Sequence, residues 1–397
     1  MVKPPSDPDE DAGMRWLAIA AAIASISVVG MAIGLGVPLL SVILETRGYS
    51  ATTIGANTAV AGIASIVAAP FATPLAARFG VVPVMLAAIV AGGFAFIGFH
   101  WAPFWAWFPL RAVLHFALTV LFILSEFWIS TSAPPHRRGL ILGVYATVLS
   151  LGFAFGPWLF AQIGSAGFAP FGITFALIAL AALPVSLAWR ESPDIAGSSH
   201  GGGSSKGFVR YIWIVPTATA AVLVFGAVET GGFALFPVYG ARIGYSEADA
   251  ALRLTAVGLG NVLLQIPLGL VSDRMRDRRT LLAICALVGL AGSLALPYAA
   301  GDWNLSAAIL FVWGGVVAGL YTVGLAHLGS KLSGRDLASA NAAFVFCYGI
   351  GMLIGPQAIG IGMDVAGPNG FAWTLALFFA VYLLLAGVRL VAIPARR

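Results

Sequence analysis

Four ionisable side chains lie inside stretches that are otherwise apolar and long enough to cross a bilayer: Arg111, Glu126, Glu229 and Arg253. A charge held in lipid costs several kcal/mol unless it pairs or faces water, so each is a candidate for carrying a proton or touching a solute. Glu229 leads the group. It stands in Val228-Glu229-Thr230-Gly231-Gly232, roughly a dozen residues from the end of its run, where a carboxylate can serve as a proton carrier or a substrate contact. The competing reading is a structural ion pair, with Arg253 on the adjoining run as partner. Arg111 and His115 are four residues apart and share a helix face, and a lone histidine there also fits a hydrogen-bonded structural role. Glu126, followed by Phe127-Trp128-Ile129-Ser130, can pair with Arg137 or Arg138, or cap a closing gate. Arg253 is shallow enough to snorkel to the interface. The neutral polar residues Asn57, Asn261, Gln265, Tyr321, His327, Asn341 and Tyr348 are mostly suited to interhelical hydrogen bonds of about 1 kcal/mol.

Covalent chemistry has no foothold. There is no GxSxG, HExxH or HxxxxD arrangement, and Lys206 lacks the preceding glycine of a phosphate-binding loop, so neither an enzyme nor a nucleotide motor is expected and no cofactor is called for. Cys285 and Cys347 both fall inside apolar runs, which leaves neither a disulfide framework nor a CxxC redox or metal site. Metal import has only the scattered Met31, His115, His327 and Cys347 to rest on and is a minor alternative.

The elements that must position these groups follow from composition. The 397 residues are 60% hydrophobic and 9% charged, with mean hydropathy +0.96, whereas a water-soluble domain carries about a quarter charged residues. Apolar runs of roughly 20 residues, the length that crosses a bilayer, fall at 16–44, 52–75, 82–100, 105–130, 139–163, 169–189, 211–240, 248–271, 280–300, 305–329, 339–363 and 371–393. An even number of spans places both termini on one side. Arg47 and Arg242 fall in loops on one side and Arg111 and Arg253 within spans, while the remaining lysines and arginines gather on the other, which is expected to be cytoplasmic. The net charge of +5 therefore marks topology rather than a nucleic-acid partner. The acidic start Asp7, Asp9, Glu10 and Asp11 is unlike a signal peptide, and the first span is expected to be retained. The expected organisation is a cytoplasmic tail 1–15, a six-helix half 16–190, a Gly/Ser-rich cytoplasmic linker 191–210, a second six-helix half 211–393 and a short tail 394–397.

The halves echo each other. Gly48-Tyr49-Ser50 recurs as Gly244-Tyr245-Ser246, and the same offset of 196 residues matches Gly62 with Gly258 and Arg78 with Arg274. Each serine precedes a span and can cap it, Ser246 with Asp249 forming a capping box. Repeats running in the same direction imply an axis normal to the membrane.

These motifs resemble those of the major facilitator superfamily. Its loop after the second span of a half has the form G-x-L-A-D-R-x-G-R-R. The second half offers Gly269-Leu270-Val271-Ser272-Asp273-Arg274-Met275 followed by Arg276, Asp277, Arg278 and Arg279; the first half keeps Leu75, Ala76, Arg78 and Gly80 but has Ala77 where the aspartate belongs. The resemblance implies a cytoplasmic gate latch carried by Arg78, Asp273 and Arg274, and puts the aspartate's part in doubt in the first half. The fifth span has Gly152-Phe153-Ala154-Phe155-Gly156-Pro157, similar to the glycine-rich motif of drug/proton antiporters, and the eleventh repeats it as Gly351-Met352-Leu353-Ile354-Gly355-Pro356. Small residues four apart let helices touch and proline permits a bend, so Gly152, Gly156, Pro157, Gly351, Gly355 and Pro356 are gating candidates, with static close packing as the plainer alternative. Arg111 matches an arginine tied to proton coupling in those branches, although the residues that follow it there are missing. Spans one, four, seven and ten surround the central path in that family, which adds Tyr321 and His327 to Glu229, Arg111, His115, Glu126 and Asn341 as proton-coupling or substrate-binding candidates.

The resemblance implies an all-α membrane protein of twelve transmembrane helices in two pseudo-symmetric bundles, and a monomeric secondary transporter of the cell inner membrane. It moves a small-molecule solute by alternating access, with a proton as the expected coupling partner and export of an organic or drug-like compound favoured. Import of a nutrient or metal ion is the alternative within the class. A non-transporting membrane sensor is the alternative outside it.

Overall fold

The computed structural model describes residues 15–134, 137–193, 209–275 and 277–392. The expected N-terminal tail up to residue 14, residues 194–208 of the linker and the tail 394–397 lie outside the described residues. Within them the chain is helical, with no strand, and holds 12 helices long and apolar enough to cross a membrane. These are Trp16–Thr46, Ala51–Phe79, Val81–Gly98, Phe104–Ser132, Leu140–Ile163, Ala169–Leu187, Pro216–Arg242, Glu247–Arg274, Arg278–Ala299, Trp303–Lys331, Ser339–Ala366 and Gly370–Val388.

Each expected span is present, and the differences lie in its details. The seventh starts at Pro216 rather than 211 because a short helix, Val209–Ile214, precedes it and the chain turns at Val215; proline suits the first helical position, where no N–H is needed. The sixth breaks at Ala181 and the tenth at Ala318. Around the tenth-span break the glycines let that helix press onto the eighth, where a Cβ on Gly315 would fall 2.6 Å from Leu264 Cβ.

Spans one to six form one bundle and seven to twelve the other. The first span packs on the fifth and the seventh on the eleventh, while the halves meet along the second against the eleventh and the fifth against the eighth. The repeat coincides with this geometry. Gly48 and Gly244 adopt positive φ of 81° and 93° in the turns that end the first and seventh spans, a conformation open to glycine without a Cβ penalty. Ser50 and Ser246 then cap the next helices by accepting from the N–H of Thr53 and Asp249. Gly62 and Gly258 are the crossing points between halves: a Cβ at the first would meet Leu353 N at 2.6 Å, and at the second Ala154 Cα at 2.5 Å. Large apolar side chains such as Leu183, Ile266, Leu384 and Val388 remain exposed, as a surface facing lipid requires.

Candidate functional site

Glu229 lies midway along the seventh span and lines a cavity with Phe153, Phe225, Phe233, Asn261 and Trp313. The cavity holds about 20 Å³, room for roughly one water. The Tyr348 hydroxyl of the eleventh span donates to Glu229 Oε2 at 2.6 Å. Around that bond stand rings rather than charges: Phe225 is 6.2 Å from Tyr348 and 5.8 Å from Tyr321, and Phe153 of the first half meets Phe233 of the second at 5.6 Å. Glu229 makes no ion pair with a described residue. Arg253, its expected structural partner, instead donates to Ser306 Oγ at 2.9 Å and to the Asp249 carbonyl, and lies 4.0 Å above the Tyr245 ring. The structure thus leaves an unpaired carboxylate, held by one phenol, between the two halves.

The two ends of the molecule differ. At the end carrying the Gly48 and Gly244 turns, Arg242 closing the seventh span bridges Glu45 of the first at 3.0 Å and Asp364 of the eleventh at 3.2 Å. Asp364 also accepts from the N–H groups of Ala51 and Thr52, where an anion meets the positive end of the second helix. Glu247 at the start of the eighth span accepts from Ser165 N and Oγ after the fifth. These contacts stitch the halves together. At the opposite end, where the linker joins the halves, the second span keeps Ala68, Ala72 and Ala76 buried in a single stripe while Thr73, Ala77 and Arg78 are exposed. Ala146 and Thr147 on the fifth span and Asn341 and Ala342 on the eleventh are exposed as well, and a Cβ on Gly143 or Gly269 would meet nothing within 4 Å. The halves are therefore tied by polar contacts at the turn end, while at the linker end these small and polar residues of the second, fifth and eleventh spans are exposed.

The remaining candidates separate by location. Tyr321 joins the aromatic cluster beside Glu229, 6.0 Å from Tyr348. Glu126 is exposed on the fourth span, within electrostatic reach of Tyr145 in its own half and Tyr321 in the other, while Arg138 donates to the Ser130 carbonyl. Arg111 and His115 are buried in the first half and do not line the Glu229 cavity. Arg111 Nε donates to Asn57 Oδ1 at 3.1 Å, and His115 Nδ1 lies 3.2 Å from the Arg111 carbonyl. His327 sits near the linker end within electrostatic reach of Asp277, Arg278, Arg279 and Lys331, where the Arg279 guanidinium holds the Asp277 carboxyl below its usual range.

The gating motifs also resolve. Asp273 is 76% exposed and pairs at 3.6 Å with Arg278 of its own half, while Arg78 lies over its neighbour Phe79. The glycine motifs pack within each half: a Cβ on Gly152 would meet Gly30 Cα at 2.7 Å and one on Gly156 would meet Leu35 N at 2.5 Å, whereas Gly351 and Gly355 lie against Leu223 and Ala227 of the seventh span. Glycines four apart on the first span thus face glycines four apart on the fifth. The sequence reading missed the Glu45–Arg242–Asp364 cluster; its signal was an arginine in a loop otherwise poor in basic residues, with acids at two other span ends.

The sequence model of the Major Facilitator Superfamily matches residues 22–254 and 234–397. The chain belongs to the Major Facilitator Superfamily. Its relatives include the MFS-type transporter YfkF of Bacillus subtilis (strain 168), 28% identical over 351 residues that span 84% of this chain and 86% of that one, and an MFS-type transporter of Yersinia pseudotuberculosis serotype O:3 (strain YPIII), 26% identical over 294 residues covering 71% and 72%. Among solved structures, the nucleoside transporter NupG superposes with TM-score 0.74 at 14% identity, covering 96% of this chain and 99% of its own. The D-xylose-proton symporter gives 0.70 at 17%, covering 94% and 96%. At such identities these structures show the fold. The chain is a multi-pass membrane transporter and not an enzyme.

Proposed function

We propose that this major facilitator protein is a proton-coupled secondary transporter of a small organic solute, with Glu229 as the group that exchanges its proton against the solute. The observation that carries this reading is the Glu229–Tyr348 pair: a carboxylate without a cationic partner, in an aromatic-lined cavity between halves that are tied by polar contacts at the turn end. A group so placed can be reached in turn from either side as the halves rock. Rings on both sides of the cavity favour a solute with apolar or aromatic surface, and Glu126 with Tyr321 continues the polar lining toward the linker end. The excess of lysine and arginine assigns the linker end to the cytoplasm, so the conformation is inward-facing, closed by Arg242, Glu45 and Asp364. Arg78, Asp273 and Arg274 are proposed to latch the cytoplasmic end in the opposite state, and the glycine motifs to give the first and seventh spans smooth bearings on which to tilt. Export of an organic compound is the favoured direction.

The test is flux in proteoliposomes with a panel of nucleosides, sugars and hydrophobic amines, with and without an imposed pH gradient. Gradient-driven accumulation of one class is expected, and Glu229→Gln should abolish it while leaving the protein folded. Unchanged accumulation in that variant rejects the coupling role.

A further inference from the structure

In the first half, the arginine of the fourth span meets the asparagine of the second; in the second half the same clamp is built with the charge on the other helix. Asn57 and Arg253 stand at the same place in the repeat, as do Trp107 and Trp303 at the head of the fourth and tenth spans. Arg253 is fully provided for by this chain: Ser306 Oγ, the Asp249 carbonyl and the faces of Tyr245 and Trp303 surround it. Arg111 is not. Its side chain is 0% exposed, Nε alone has a partner, and Nη1 and Nη2 have none. Asn57, also 0% exposed, spends its Oδ1 on Arg111 and leaves Nδ2 unpartnered beside the same guanidinium. Phe99, whose ring centre lies 6.0 Å from Arg111 Cζ, closes another side.

Three buried nitrogens, each bearing two N–H groups, therefore stand on two side chains in mutual contact with no acceptor from the described residues, and one of those side chains is a cation with no ion pair. A buried cation without an opposing charge is strongly destabilising. A water has two lone pairs and no charge, and relieves only part of this; a small anion accepts several N–H groups and cancels the charge as well. We propose that the first half binds a small monovalent anion, of the halide class, between Arg111 and Asn57. Both side chains are fully enclosed, so the guest enters only as the packing around them relaxes, which restricts it to one or a few atoms. The site is separate from the Glu229 cavity and does not depend on the solute reading.

The full chain, purified in detergent, is heated in sodium chloride, bromide or formate and in sodium gluconate at equal ionic strength, with unfolding followed by tryptophan fluorescence. Chloride or bromide should raise the midpoint saturably, by roughly 3 °C or more at concentrations well above the dissociation constant, and gluconate should not; a rise with formate alone assigns the site to a small carboxylate and overturns the halide assignment. Asn57→Asp places a carboxylate beside Arg111 and should unfold at the same temperature in every salt. Should that variant fail to fold, Arg111→Met, which removes the charge, must also lose the chloride dependence. Identical midpoints for the unaltered protein in chloride and gluconate overturn the proposal, as does a chloride dependence that survives in either variant.

Discussion

Removal of Arg242 should open the end of the molecule that this conformation holds shut. The residue bridges Glu45 at 3.0 Å and Asp364 at 3.2 Å, and the three side chains are 23%, 19% and 27% exposed. Only the Glu45 pair crosses between the halves, since Asp364 shares a half with Arg242; an ion pair in that partly solvated setting contributes about 0.5–1 kcal/mol, so Arg242→Ala should cost the closed state about that much relative to the state in which the pair is already broken. That is roughly a 2- to 5-fold shift in the ratio of the two conformers. Spin labels at Ala166 and Ala241, exposed positions on opposite halves at this end, report the change as distance distributions, with Cys285 and Cys347 replaced. The longer-distance population should grow in Arg242→Ala and recover partly in Arg242→Lys, which keeps the charge but loses the two-armed geometry. A distribution unchanged by Arg242→Ala refutes the reasoning, because the clamp would then carry no conformational energy.

Other expectations follow from single contacts. Gly156→Val drives a branched side chain into Leu35 N of the first span and should lower the unfolding midpoint sharply, by the 1–3 kcal/mol or more of an overpacked interface, whereas Gly143→Ala, whose Cβ meets nothing within 4 Å, should leave it unchanged. Tyr348→Phe removes the single donor to Glu229 and should slow gradient-driven flux in liposomes while the closed-end spin-label distances stay as they are. Asp273→Asn breaks a pair in which Asp273 is itself 76% exposed and should change stability by less than about 0.5 kcal/mol in thermal unfolding; an effect on flux without one on stability supports a latch made in the other conformation.

How much of this was legible beforehand depends on the range of the interaction involved. Helix length and apolarity are local properties, so the spans and the paired Gly-Tyr-Ser turns could be read residue by residue; the repeat also matched Gly62 with Gly258, but that they are where the halves cross is seen only in the structure. Glu229 stood out because a carboxylate in an apolar run is costly wherever it points. What surrounds it was not legible: Tyr348 is on another helix, and Phe153 comes from the other half. The Arg242 cluster joins the ends of three helices, and no spacing along the chain relates them. Arg111 shows the converse case. Its rarity singled it out, but only the structure separates it from the Glu229 cavity and places it against Asn57. The break at Ala181 precedes Pro184, which cannot donate back to the Leu180 carbonyl, whereas that at Ala318 carries no punctuating proline, and close helix contact in the tenth span supplies a cause that sequence propensity does not.

The central claim, that Glu229 carries the proton moved against the solute, is tested most directly by following protons rather than solute. Liposomes containing the protein and an internal pH dye are presented with the solute class that the flux panel selects, and the unaltered protein should produce an internal pH change in step with solute movement. Glu229→Gln should still exchange solute across the membrane when the same solute is present on both sides, yet give no pH change. A Glu229→Gln protein that moves protons as the unaltered one does would contradict the account.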